Sequence, residues 1–163
     1  MVEELWRVDP STLREVVIDR PAMLARVVEA PPTEQVWMLT VLGQLDEASR
    51  AGETILREAQ NRYRPLLLLA YVRIHQFDWT GAAALHEEAL QLARTPIREA
   101  GVRDQIGRRL FEQALYRDAA NEFQWAADLR GVYGGSEAAV SRSLLARDRA
   151  RALSVRGWGS EPG

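Results

Sequence analysis

The 163-residue sequence contains no cysteine. That excludes disulfides, thiolate nucleophiles, iron–sulfur clusters and cysteine zinc sites. It contains no lysine either, so all 21 basic side chains are arginine. Phosphate-loop, kinase and Schiff-base lysines are thereby excluded, and the arginine bias suits a GC-rich bacterial coding sequence. Histidine occurs only as His75 and His86, and "HEEAL" lacks the zincin spacing. Glu87 and Glu88 are neighbours on one helix, so their side chains diverge rather than form a dyad. No GxGxxG or GxSxG motif occurs, and the glycines of "GVYGG" follow no strand signal. The longest apolar run, "PLLLLAYV", is far too short to cross a bilayer. The N-terminus "MVEELWRVDP" is acidic and lacks a signal core. The expectation is a cytoplasmic, soluble protein that is not an enzyme and holds no metal or cofactor.

What is present is ordinary for a folded domain. At 47% hydrophobic and 27% charged residues, wholesale disorder is excluded, and the length allows one core burying about 70% of the unfolded surface. The net charge of −2 gives no global drive towards nucleic acid or an anionic membrane. The charge is uneven, however. Residues 1–60 hold six Arg against eleven acids, a net of −5, and residues 61–163 hold fifteen against twelve, a net of +3. Such a polarity supports head-to-tail contacts, or simply reflects differently solvated faces.

Nearly every segment has helical periodicity, and no β-branched alternation argues for a strand. Residues 1–32 read as short helices, one capped by Asp9 with Pro10 and one by Asp19 with Pro21. Pro31–Pro32 breaks the chain, Thr33 caps the next helix, and Gly43 ends it. Asn61 to Pro65 reads as a turn. Thr95–Pro96 and Ser136 are further caps, and "GVYGG" precedes a last helix over 136–154. The tail, 155–163 with Trp158, reads as flexible.

A repeat underlies the pattern. Leu45, Trp79 and Tyr116 stand 34 and 37 residues apart. Each is followed three residues later by Ala48, Ala82 and Ala119, and ten later by Ile55, Ala89 and Ala126. Large residues alternating with methyls suit close-packed helix pairs. "LGQLDEASRAGETIL", "FDWTGAAALHEEALQLA" and "IGRRLFEQALYRDAANEFQWAADL" resemble tetratricopeptide repeats. Gly107, Leu110, Tyr116, Ala119, Phe123 and Ala126 carry the likeness best. His86 and Gly52 stand where a large aromatic is usual, and Val36 where a small residue is. The resemblance implies an all-α, right-handed solenoid of about three helix–turn–helix pairs (33–60, 64–94, 96–130) with flanking helices.

The resemblance also implies a role in protein–protein interaction, as an adaptor gripping a peptide or helix in a concave groove, or in self-association such as a homodimer. First helices line that groove, which points to Trp37, Arg64, Tyr71, Ile74, His75, Arg108 and Phe111, with Thr40 beside them. Aromatic and arginine side chains dominate interface energetics. The plainer reading is that Trp37, Tyr71 and Phe111 pack between helices. The family's carboxylate clamp uses paired Lys and Asn, and without lysine that mode is in doubt. A different reading takes Arg142, Arg149 and Arg156, seven apart on one face, as phosphate contacts for nucleic acid; the plainer reading is the solvated face of a capping helix. Asp104 and Arg108, four apart, read as an exposed helix ion pair.

Overall fold

Strand structure does occur, and it occupies the segment where a first helix was expected. In the computed structural model, which describes residues 4–156, Trp6–Val8 (β1) pairs antiparallel with Glu15–Val17 (β2), Trp6 opposite Val17. Asp9 caps no helix here. Its Oδ1 accepts from Ser11 N at 2.8 Å, closing an Asx turn, and Leu13 takes a left-handed conformation at φ 58°. The β-branched run Val16–Val17–Ile18 and the two-residue spacing of Trp6 and Val8 are what the pleat favours.

The rest of the described chain is helix, in the order α1 (Arg20–Glu29), α2 (Pro32–Val41), α3 (Leu45–Glu58), α4 (Tyr63–His75), α5 (Trp79–Leu92), α6 (Pro96–Glu112), α7 (Tyr116–Tyr133) and α8 (Glu137–Arg156). The all-α class is therefore correct. Three expected caps are present: Asp19 accepts from Ala22 N at 3.0 Å, Thr95 from Arg98 N at 3.3 Å and Ser136 from Ala139 N at 3.2 Å. Thr33 is not a cap, because α2 already begins at Pro32 with Pro31 before it. Pro65 lies inside the first turn of α4. Both prolines are tolerated because first-turn N–H groups lack helical partners anyway. The helix α7 runs through Gly131 and stops at Gly134, in the left-handed region at φ 84°.

The turns joining α2 to α3, α4 to α5 and α6 to α7 have the same hydrogen bonds. Gly43, Phe77 and Ala114 each adopt positive φ, at 82°, 58° and 61°. Their N–H groups donate to Thr40, Ile74 and Phe111 at 3.0, 3.1 and 3.0 Å. The next N–H groups, of Gln44, Asp78 and Leu115, donate to Leu39, Arg73 and Leu110, all at 2.9 Å. This is the Schellman pattern, built three times in one register. Leu45, Trp79 and Tyr116 begin the three second helices. Ala48, Ala82 and Ala119 are each fully buried, as are Ala89 and Ala126.

The chain divides into two compact units, 1–89 and 90–163. In the first, Val36, Leu39, Ala48 and Val72 form one apolar cluster, and Met23, Met38 and Leu42 form another under the hairpin. Gly52 of α3 lets Leu69 of α4 approach, whose Cδ1 would lie 3.2 Å from an added Cβ. In the second unit, α7 packs between α6 and α8. Gly107 of α6 lies under the buried ring of Phe123, which an added Cβ would meet at 2.7 Å. Gly52, His86 and Phe123 occupy equivalent repeat positions, and all three are buried.

Candidate partner-binding cleft

The first unit carries an open cleft of about 650 Å³ between the hairpin, α1 and α2. Its framework follows from local sequence. Asp19 and Pro21 start α1, and Pro31–Pro32 turns the chain into α2. Gln35 Nε2 then donates to Val27 O at 3.0 Å, and Arg20 Nη1 to Leu42 O at 3.2 Å, tying the two helices together. The hairpin is laid on them by Leu5 and Val17, which pack on the Met23–Met38–Leu42 cluster. Tyr71 of α4 also holds it, its hydroxyl donating to Glu15 Oε2 at 2.6 Å.

Trp6 of β1 and Trp37 of α2 meet edge to face in this cleft, centroids 4.9 Å apart and planes at 66°. Met23 and Met38 also line it, and Arg7, Arg26, Glu4 and Glu34 supply two charges of each sign. Ring faces and polarisable sulfur adapt to apolar or aromatic side chains. Paired charges can orient a backbone or a polar neighbour. The lining contains no histidine, serine or threonine.

The expected site residues divide sharply. Trp37 lies in the cleft, half-buried. Arg64 is exposed near the start of α4. Tyr71 and Ile74 are buried in the first unit, and Phe111 is buried in the second, where its ring meets Tyr116 at 5.2 Å. His75 is half-buried, its ring 4.4 Å from Tyr71 and its Nδ1 3.0 Å from Tyr71 O. Arg108 is half-buried on α6, and Thr40 is buried with its hydroxyl donating to Val36 O at 2.7 Å. Trp37 is thus the one of these residues that borders the cleft. On α8, Arg142 and Arg156 are exposed and Arg149 is half-buried. Trp158 lies outside the described residues. Among the described residues, no group of three His, Asp or Glu could hold a metal, and no helix is long and apolar enough to cross a membrane.

Trp6 was not foreseen, because a segment read as helix hides the pairing that brings residue 6 over residue 37. Asp104 is also placed differently from expectation. It is half-buried, accepting from Arg130 Nη1 and from Ser143 Oγ, the latter at 2.8 Å. Ser143 Oγ accepts in turn from Arg130 at 2.8 Å, so one network joins α6, α7 and α8. Burial pushes the Asp104 carboxyl above its ordinary pKa, against the lowering effect of Arg130 and Ser143. Glu122 is raised for the same reason, opposed mainly by Arg103, whose guanidinium also lies 3.7 Å over the Trp125 ring. These groups brace the helices of the second unit. Comparison with protein-family models, with curated proteins and with solved structures gave no match.

Proposed function

We propose that this chain is a tetratricopeptide-like adaptor of the bacterial cytoplasm, with about three helical pairs stacked as a right-handed solenoid. It binds a peptide or helix of another protein, or a second copy of itself. The observation that carries the reading is the aromatic cleft, where Trp37 of a first helix and Trp6 leave open space beside them. The thrice-repeated turn supports the repeat assignment. In this reading Trp37, Trp6 and the two methionines take an apolar partner side chain. Arg26 and Glu34 orient the flanking residues, and Arg64 contacts the partner further along. Tyr71, Ile74 and Phe111 act from beneath by holding the first helices, with His75 packed on Tyr71 and Arg108 on α6.

The test is affinity capture from the source cell with identification by mass spectrometry, followed by calorimetry with the captured segment. Trp37→Ala should weaken binding about 30-fold, the size of an interface hot spot of about 2 kcal/mol. The charge reversals Arg26→Glu and Glu34→Arg alter exposed side chains at the rim and leave the core intact, so they separate binding from folding. Unchanged affinity in all three variants, with full helical circular dichroism, would sink the cleft as the binding surface.

A further inference from the structure

The hairpin has one edge that its own pairing leaves open. Ile18 N donates to Leu5 O and Asp9 N to Arg14 O, both at 2.8 Å. With Trp6 opposite Val17 and Val8 opposite Glu15, antiparallel alternation makes Leu5, Arg7 and Asp9 the residues bonded across the hairpin. The N–H and C=O groups of Trp6 and Val8 therefore point the other way, off the free edge of β1. Among the described residues nothing bonds to these four groups. The cleft runs along that edge, since residues 4–8 line it and no residue of β2 does.

Side chains along β1 alternate between two surroundings. Trp6 meets Trp37, its partner Val17 packs on the Met23–Met38–Leu42 cluster, and Glu15 opposite Val8 accepts from Tyr71. This face of the hairpin looks onto the helices. Arg7 and Val16, opposite one another and both exposed, take the outer face. Asp9 and Arg14, the next pair along, cancel in charge. Arg7 is left as the unmatched cation beside the free edge, with no ion pair to any described residue. On the helical wall of the cleft, Arg26 and Glu34 offset each other.

We infer that the cleft takes an extended segment of another protein, which adds to β1 as a third, antiparallel strand. Its residues opposite Trp6 and Val8 are apolar and enter the cleft towards the helices. The residue between them is acidic and faces Arg7, which it approaches most closely, with Cα atoms about 4.5 Å apart. Main-chain bonds to Trp6 and Val8 supply affinity, and the alternating side chains supply selectivity. A helical partner, whose backbone groups are bonded internally, would leave all four edge groups unpaired. A second copy's β1, in the register that uses all four, would set Arg7 directly against Arg7. The inference rests on the cleft being the partner-binding surface, and it fixes the partner's conformation and residue pattern.

The probe is the peptide acetyl-Thr-Val-Glu-Val-Thr-amide, titrated into the isotope-labelled full chain and followed by nuclear magnetic resonance. Binding should shift the amide signals of Trp6 and Val8 and slow their hydrogen exchange. N-methylation of either valine should abolish binding, because each valine N–H donates to the edge. N-methylation of the glutamate should not, because its N–H faces away. Replacing the glutamate with lysine should weaken binding about fivefold, and Arg7→Glu should reverse that preference. Val8→Pro removes one outward N–H without touching the pairing to β2, so it should abolish binding with helical circular dichroism unchanged. A peptide that leaves the Trp6 and Val8 amides unmoved overturns the inference, as does a preference for glutamate that survives Arg7→Glu. Binding indifferent to valine N-methylation overturns it in favour of a helix or a side-chain contact. Protection of the two amides that rises with protein concentration alone assigns the edge to a second copy and overturns it too. A captured partner that depends on Trp37 while the peptide fails would overturn strand addition and leave the cleft as the binding surface.

Discussion

The two units use one helix–turn–helix plan and fill its tight spot differently. In the first, the second helix supplies glycine, Gly52, and the following first helix supplies the bulk, the flexible Leu69. In the second, the glycine is on the first helix, Gly107, and the bulk is the rigid ring of Phe123 on the second. The first unit buries Thr40 and His86 among apolar side chains and keeps an open cleft at its hairpin. The second is braced by Arg130–Asp104–Ser143 and by Arg103 with Glu99 and Glu122. Tolerance to change should differ accordingly, with the unit that carries the cleft being the more forgiving.

The largest expected effect is at Phe123. Phe123→Ala removes a fully buried ring and should cost about 3–5 kcal/mol in a denaturant melt; a loss near zero would remove the contrast. Next come the paired glycine changes. Gly107→Ala drives a methyl into the ring and should cost about 1–3 kcal/mol despite the gain in helix propensity. Gly52→Ala meets only the end of Leu69 and should fall within about 0.5 kcal/mol of wild type, since propensity offsets a small displacement. Equal costs at both sites would show that the two seams are equally rigid.

The turns give a smaller, signed comparison. Ala114→Gly relieves a left-handed alanine and should stabilise by about 1 kcal/mol, whereas Gly43→Ala should destabilise by a similar amount. Phe77→Gly should gain less, because it also removes the ring packed on Trp79 at 5.7 Å. Thermal melts of the three variants report the order. The smallest effect is in pH. Asp104 and Glu122 have folded-state pKa values raised by burial, so the folded state binds their protons first. Their contribution to stability is fully present below the unfolded pKa and is lost as pH rises through the folded one. Asp104→Asn should flatten that part of the stability profile just above the usual carboxylate range; an unchanged slope would count against Asp104 as its source.

Much of the fold could be read without coordinates because helix pairs repeat and repeats expose their register. The rings and methyls of "LYRDAANEFQWAADLR" locate a packed seam, with Ala119 and Ala126 fully buried and Phe123 between them. The hairpin was missed because three-residue strands offer too little alternation to outweigh the helical signals around them. The site was half legible. Trp37 sits in the cleft, but Tyr71, Ile74 and Phe111 are buried. In α4, "LLLLAYVRIH" is apolar on nearly every side, so periodicity cannot say which face is outward.

By itself the sequence determined the helical class, the caps at Asp19, Thr95 and Ser136, the stop at Gly43 and the spacing of the paired helices. Those are local matters of backbone freedom, hydrogen-bond donors and periodicity. Only tertiary structure decided that Trp6 faces Trp37, that Asp104 joins Arg130 and Ser143 across three helices, and that Val28 and Leu145 point outward. Each depends on residues far apart in the chain competing for the same buried volume, and no local pattern encodes the outcome of that competition.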